Sequence, residues 1–153
     1  MSKLVSVETN IESKSEKHIR WFLVVMYFIQ TFVTTFPFVQ GHAENGKLAS
    51  VTAFNLLVQP DGYTQKGDIA LAIMGGILVV FPLVCFFFCL LDRKSKIKWI
   101  VSGSCCMICA IVITFGIGGS LGFGALVTLI INLVCMFMTT QGFQATRMRE
   151  RNS

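Results

Sequence analysis

The chain has 153 residues, of which 54% are hydrophobic and 14% charged, with a mean hydropathy of +0.68 and a formal net charge of +5. This composition is typical of an integral membrane protein, and its apolar stretches leave too few residues for a separate soluble catalytic domain. The positive charge does not indicate nucleic-acid binding, because the sequence has no folded domain with a basic surface and interleaved aromatic residues.

Four apolar stretches are each long enough to cross a bilayer and contain no charged residue. They are residues 21–39, 69–91, 99–117 and 121–140. The sequence therefore predicts an all-α membrane protein with four transmembrane helices in an antiparallel bundle. The bundle is expected to occupy residues 19–141, between an N-terminal cytoplasmic tail at 1–18 and a basic cytoplasmic tail at 142–153. Because Glu8, Glu12 and Glu16 recur at intervals of four, the N-terminal tail is either a short interfacial helix or frayed.

The basic residues are unevenly distributed among the connections. Eleven lie before the first stretch, between the second and third, or after the fourth, and only Lys47 and Lys66 lie between the first and second. By the positive-inside rule, a multi-pass protein of the plasma membrane is predicted, with both termini and loop 92–98 in the cytoplasm and residues 40–68 outside. The basic residues then also attract anionic headgroups, so membrane lipids are expected partners.

The first stretch has some features of a secretory signal. Basic residues precede its apolar core, and Gly41-His42-Ala43 resembles a small-x-small cleavage site. Its apolar run is longer than the usual signal core, and a long charged segment precedes it, which favours retention of the helix. Cleavage, which would leave three spans, is the alternative.

Residues 40–68 are expected to form a small external β-hairpin-like loop between helices 1 and 2. Glu44-Asn45-Gly46 is typical of a hairpin turn, which predicts strands at residues 36–42 and 47–52. Residues 54–58 predict a short amphipathic turn, closed by Pro60-Asp61-Gly62. Two strands alone are marginally stable, so this loop needs support from the helix ends, the bilayer or a partner protein.

Small residues line one face of each of the last three predicted helices. Ala72 and Gly76 share a face of the second helix. On the third and fourth helices the aligned residues are Ser102, Cys106, Cys109, Ala110 and Gly116, and Gly124, Thr128, Asn132, Cys135 and Thr139. Because only residues 118–120 join these two helices, they are predicted to form a tight antiparallel hairpin with their small faces in contact.

No Asp, Glu, Lys, Arg or His lies inside the four stretches. An ionisable group in a span usually marks intramembrane catalysis or ion coupling, so we predict no enzyme activity and no catalytic, cofactor-binding or metal-binding residue. The notable polar residues in the spans are Gln30, Thr31, Thr34, Thr35 and Asn132. Interhelical hydrogen bonds explain them more simply than a permeation path does.

Six cysteines lie within the predicted spans and none in the external loop. They are Cys85, Cys89, Cys105, Cys106, Cys109 and Cys135. Their positions around the helices favour buried packing over a soft site for copper(I) or zinc, and Cys89 is near enough to the inner boundary to carry an acyl chain. The glycine-rich run at residues 116–122 is interpreted as a turn, because a phosphate-binding fingerprint needs a preceding strand and a βαβ unit.

The order of a helix, an external strand-turn-strand segment, a helix, a basic loop and a helical hairpin resembles that of small four-span membrane proteins of bacteria. Phe36-Pro37-Phe38-Val39, the turn at Asn45-Gly46 and residues 50–57 carry this resemblance. The outline is also similar to the claudin-like plan, but the external cysteine pair and the Trp-Gly-Leu-Trp signature of that family are missing. A junction-forming role is therefore not expected, and neither resemblance implies catalytic residues.

Spans without reactive groups and an external loop that needs support predict a non-enzymatic accessory or assembly subunit. It would act through contacts of its external loop and helix faces, and its partner would be another membrane protein or further copies of the chain. The alternative is a small oligomeric transporter or pore with an uncharged polar pathway. A third hypothesis, ranked last, is an intramembrane thiol enzyme or metal handler that uses Cys106 and Cys109.

Overall fold

A computed structural model of the chain describes residues 12–42, 48–58, 68–93, 95–117 and 121–151. Within these ranges the chain forms helices and one two-stranded antiparallel sheet. In chain order the elements are α1 (Lys14–Val33), β1 (Pro37–His42), β2 (Leu48–Thr52), α2 (Ala53–Val58), α3 (Asp68–Leu91), α4 (Ile97–Ile111), a π-helical continuation of α4 (Val112–Ile117) and α5 (Phe123–Arg151).

Among the described residues, three helical segments are long and apolar enough to cross a membrane. They are Ile69–Leu91, Ile97–Gly116 and Phe123–Arg151. Helix α1 does not qualify, because charged residues occupy its first two turns. The three apolar helices are compatible with a multi-pass membrane protein, and the prediction of four spans is supported for three of them.

Helix α1 differs from the predicted span 21–39 at both ends. It begins at Lys14, where Ser13 and Glu16 each accept a hydrogen bond from the other's backbone N–H, a capping box. It ends at Val33, because Pro37 disfavours helical geometry at the residue before it and the chain turns at 34–36. At roughly 1.5 Å per residue the uncharged part, residues 21–33, is about 20 Å long, against about 30 Å for a hydrocarbon core.

The four long helices pack around a common core. Helix α1 contacts α3 and α5, and α4 contacts the same two helices, so the order around the bundle is α1, α3, α4, α5. The largest fully buried apolar side chains of these helices are Trp99, Tyr27, Leu23, Leu78 and Ile113. The described residues therefore form a helical bundle with one continuous core.

The small faces of α4 and α5 meet only in part. Cys106 of α4 contacts Cys135 of α5, as predicted. Ser102 instead hydrogen-bonds to Tyr27 of α1, and the Cys109 thiol donates to the carbonyl of Ile77 on α3 over 3.9 Å. The face of α4 is therefore shared among its three neighbours. The predicted turn at residues 118–120 lies outside the described residues.

Helix α5 continues beyond residue 141 to Arg151, so most of the predicted C-terminal tail is helical. This extension packs on the first turns of α4, where the indole Nε1 of Trp99 donates to Thr146 Oγ1 over 2.9 Å. Likewise, α1 begins within the predicted N-terminal tail. The two continuations bring Glu16 of α1 and Arg149 of α5 into an ion pair, as described below. The division into membrane and cytoplasmic parts stays a prediction.

The predicted β-hairpin is present and is attached to the beginning of α5. Its register pairs Pro37 with Thr52 and Val39 with Val51, with an irregularity between Pro37 and Val39. Phe38 is fully buried, and its carbonyl accepts a hydrogen bond of 2.8 Å from the N–H of Gly122. Val39 also forms a β-bridge with Leu121. The predicted turns at residues 44–46 and 60–62 lie outside the described residues.

Helix α2 corresponds to the predicted amphipathic turn at 54–58. It buries Leu56 and packs against the beginning of α3. The packing requires a glycine, since a Cβ atom on Gly75 would lie 2.5 Å from the backbone nitrogen of Leu57. A Cβ on Gly76 would lie at an ordinary 3.5 Å from Leu57 Cδ1. The glycines near the start of α3 therefore accommodate α2 rather than another spanning helix.

The two ends of the bundle differ in chemistry. We call the end where α1 and α4 begin and α3 and α5 end the basic end, because it carries the charged residues described below. The opposite end, which carries β1, β2 and α2, is called the hairpin end.

Replacement of Gly75 by alanine is expected to lower the melting temperature of the detergent-solubilised protein, because the new methyl group collides with the backbone of α2. Gly76→Ala is the control in the same helix, and it should be neutral or stabilising, since alanine favours helix over glycine by about 1 kcal/mol. Equal effects of the two substitutions would show that the approach of α2 does not require Gly75.

Candidate functional site

Charged side chains of three elements meet at the basic end. Arg20 Nε donates to both carboxylate oxygens of Glu12, over 2.9 and 3.2 Å, and Arg20 Nη1 donates to the carbonyl of Cys89 on α3 over 3.2 Å. Lys98 Nζ of α4 lies 3.5 Å from Glu12 Oε1. Glu12 is therefore shared by two cations, and these contacts join the start of α1 to α3 and α4.

A further ion pair, between a partly exposed arginine and a buried glutamate, joins α5 to α1. Arg149 Nη1 donates to Glu16 Oε2 over 2.9 Å. Three of the charged residues in these ion pairs are buried by helix packing. The exposed fraction is only 1% for Glu16, 4% for Arg20 and 2% for Lys98. Buried charges are tolerated only when they are paired, so the two contacts of α1 depend on correct placement of the other helices.

Trp99 fixes the packing of α4 against α5 at the same end. Its ring lies so close to Gly142 that a Cβ atom there would be 2.7 Å from Trp99 Cζ3. Thr146 accepts the indole hydrogen bond and donates its own hydroxyl to the carbonyl of Gly142 over 3.0 Å. The buried indole N–H is therefore satisfied within the bundle.

Polar side chains also pair in the middle of the bundle. Gln30 Nε2 of α1 donates to Asn132 Oδ1 of α5 over 3.2 Å, which confirms the predicted interhelical bond for these two residues. Tyr27 hydrogen-bonds to Ser102, and its hydroxyl lies 3.1 Å from the thiol of Cys106. The hydroxyls of the three threonines in the predicted set instead donate to carbonyls of their own helix. These are Thr31, Thr34 and Thr35.

Three buried polar atoms near this layer have no hydrogen-bond partner among the described residues. They are Gln30 Oε1, Thr128 Oγ1 and Asn132 Nδ2. Thr128 lies one turn before Asn132 on α5, so both side chains belong to the same face of the helix. These atoms are one acceptor, one donor and one hydroxyl. Together they suit a neutral ligand that both donates and accepts hydrogen bonds better than they suit an ion.

The six cysteines are free thiols, and Cys105 alone among them is only partly buried. Cys85 lies near Cys105 where α3 contacts α4, and Cys106 lies near Cys135 where α4 contacts α5. Cys89 lies near Ser102. Among the described residues, no group of three or more His, Cys, Asp or Glu side chains is placed to hold a metal ion. Five of the six thiols are buried within the bundle, and their packing role stays a prediction.

The buried ion pairs were not predicted from the sequence. Their basic residues were interpreted as signals of membrane topology, and their acidic residues were placed in the N-terminal tail. A usable signal exists in α1 and the residues just before it. Glu12, Glu16 and Arg20 recur at intervals of four, and the same face continues into the core through Leu23 and Tyr27. Charges that share a face with core residues indicate buried pairing.

Comparisons with known proteins assign no relatives to the chain. No protein-family model matches it, and searches of curated proteins and of solved structures gave no match. Its function is therefore inferred from its own residues.

Arg20→Met is expected to destabilise the protein by about 3–5 kcal/mol, because it removes a buried cation that joins Glu12 to α3. Lys96→Met makes the same change in the exposed pair of Lys96 with Glu150 and should cost less than about 1 kcal/mol. Denaturant unfolding in mixed micelles measures both values. A loss below 1 kcal/mol for Arg20→Met would show that the buried network does not stabilise the bundle.

Thr146→Val is expected to destabilise the protein by about 1–3 kcal/mol, since it keeps the side-chain shape but leaves the buried indole N–H of Trp99 without an acceptor. The control is Thr140→Val on the same helix, where an exposed hydroxyl donates only to carbonyls of its own helix. The same unfolding assay compares them. Similar small losses for both variants would contradict a structural role for the indole hydrogen bond.

Proposed function

We propose that the protein is a non-enzymatic accessory or assembly subunit of a plasma-membrane complex, which binds its partner through the hairpin end. In this proposal four helices cross the membrane and both termini are cytoplasmic. The outward surface of α1 supports its assignment as the fourth span. Its exposed apolar residues are Trp21, Phe22, Val25, Phe28, Ile29 and Phe32. An apolar surface on the outside of a bundle is typical of contact with lipid.

The observation that carries the proposal is the attachment of the hairpin to the bundle. An isolated two-stranded hairpin is marginally stable, whereas this one is held by the buried ring of Phe38 and by backbone pairing of Phe38 and Val39 with the start of α5. A strand held in a fixed position outside the helices offers its backbone and alternate side chains to a partner without a large ordering cost.

Helix α2 adds an apolar contact surface beside the hairpin. Phe54 and Val58 lie one turn apart on the same face, and 53% and 62% of their surfaces are exposed. Leu56, on the other face, is buried against the bundle. We call Phe54 and Val58 the apolar pair of α2, and we propose that it forms the centre of the contact with the partner.

Purification of the tagged protein from its own membranes in a gentle detergent, followed by mass spectrometry, tests this proposal. The unaltered protein is expected to retain a stoichiometric partner, which the double variant Phe54→Ala with Val58→Ala should lose. Phe137→Ala is the control, because Phe137 is equally exposed but lies on α5 away from the hairpin end. Purification of the unaltered protein without a partner would contradict the proposal, and loss in the control as well would exclude a contact centred on α2.

The alternative function, a small oligomeric transporter or pore, is favoured by the unpaired polar atoms of Gln30, Thr128 and Asn132. Buried polar atoms without protein partners offer binding positions for a neutral hydrogen-bonding solute. Under this alternative the purified protein would be a homo-oligomer, and its flux of small neutral solutes in liposomes would be lost on Asn132→Leu but retained on Thr140→Val. That result would replace the accessory-subunit proposal.

A further inference from the structure

An open cavity of about 690 Å³ lies at the basic end of the bundle. It is formed by the residue that precedes α4 and by the last two turns of α5. The lining residues are Lys96, Gln144, Arg147, Met148, Glu150 and Arg151. This volume is in the range of cavities that hold a small ligand or a headgroup. None of the contacts described above uses the side chains of Arg147 or Arg151.

The described residues that line the cavity carry a net formal charge of +2. Lys96 and Glu150 pair with each other and neutralise one charge of each sign. Arg147 and Arg151 are one helical turn apart, so their side chains lie on the same face of α5. Among the residues that the structure describes, neither of them forms an ion pair. Two adjacent guanidinium groups present the planar donor pattern that binds phosphate oxygens.

The cavity is level with the start of an apolar helix. The pair of Lys96 with Glu150 and the hydrogen bond of Trp99 with Thr146 place the end of α5 beside the first turn of α4. Ile97 and Ile100, on that first turn, are 57% and 56% exposed. Charged donors beside the first turn of a helix that is apolar enough to cross a membrane match the order of a phospholipid, in which an anionic headgroup lies above acyl chains.

We propose that this cavity binds the phosphate headgroup of an anionic phospholipid. Arg147 and Arg151 bind the phosphate oxygens, and Gln144 donates a further hydrogen bond. Ile97, Ile100 and the exposed side chain of Met148 contact the upper part of the acyl chains. Basic pockets between membrane helices are a known mode of headgroup binding. A free phosphate ion would use the two arginines but would leave the apolar side chains without a role.

Native mass spectrometry of the delipidated full-length protein tests the proposal with phosphatidylglycerol, phosphatidylcholine and inorganic phosphate as separate additives. The phosphatidylglycerol adduct is expected to exceed the phosphatidylcholine adduct by at least fivefold. The double variant Arg147→Gln with Arg151→Gln should lose this excess. The control, Lys14→Gln with Lys17→Gln, removes the same charge from two exposed positions on α1 at the same end and should keep it.

A second measurement separates lost binding from lost folding. Phosphatidylglycerol should raise the melting temperature of the unaltered protein and of the control, because a ligand of the native state stabilises it, but not that of the arginine variant. Equal losses in both double variants would reveal non-specific attraction and overturn the proposal. Equal binding of the two lipids, or displacement of phosphatidylglycerol by inorganic phosphate, would also overturn it, the latter in favour of a soluble phosphate ligand.

Discussion

The bundle depends on the pairing of charges that helix packing has removed from water. Each buried ion costs several kcal/mol to desolvate and is stable only if its partner is held in position. Arg20 meets this condition through Glu12 and a carbonyl of α3, and Glu16 through Arg149 of α5. These contacts fix the rotation of α1, so the residues that follow on the same face, Leu23 and Tyr27, enter the core. Helix α1, which carries too many charges to count among the apolar helices, is held in the bundle by these ion pairs.

The hairpin end is held together by different forces. Its contacts are a buried aromatic ring, backbone hydrogen bonds and the close approach of α2 to Gly75. None of these contacts involves a charge, so the hairpin end should be much less sensitive to salt than the exposed charges of the basic end. The molecule thus combines an electrostatic junction at one end with a packed cap at the other, and these two ends are where the proposed ligands, lipid and protein, would bind.

Local sequence features predicted much of this fold. The length of an uncharged stretch and the chemistry of a hairpin turn are properties of short segments, which is why α3, the start of α4 and the two strands lie close to their predicted positions. Interhelical bonding of Gln30 and Asn132 was also predicted, from their rarity as polar residues in apolar stretches, although their pairing with each other was not. Local features did not identify which glycine of α3 permits close packing. The sequence predicted Gly76, whereas the structure has Gly75 against α2. Adjacent residues on a helix point about 100° apart, and only the position of α2 distinguishes the two.

The features that the sequence did not predict depend on distant partners. A charged residue beside an apolar stretch normally marks the end of a span, so the beginning of α1 and the extension of α5 past residue 141 were assigned to tails. The start of α1 follows locally from the capping box of Ser13 with Glu16, whereas the burial of Glu16 becomes understandable only when Glu16 and Arg149 are known to be neighbours. The basic cavity has the same origin, because Lys96 and Arg147 meet only when α4 and α5 are packed together.

The pairing of Glu16 with Arg149 also has a consequence for biosynthesis. The two residues are 133 positions apart in the chain. At translation rates of roughly 5–20 residues per second, the ribosome needs about 7–27 s to make Arg149 after Glu16. During that interval the carboxylate has no cationic partner from α5, and water must solvate it. The first helix therefore reaches its final buried position only after the last one has been synthesised, so its synthesis and its docking are separate events.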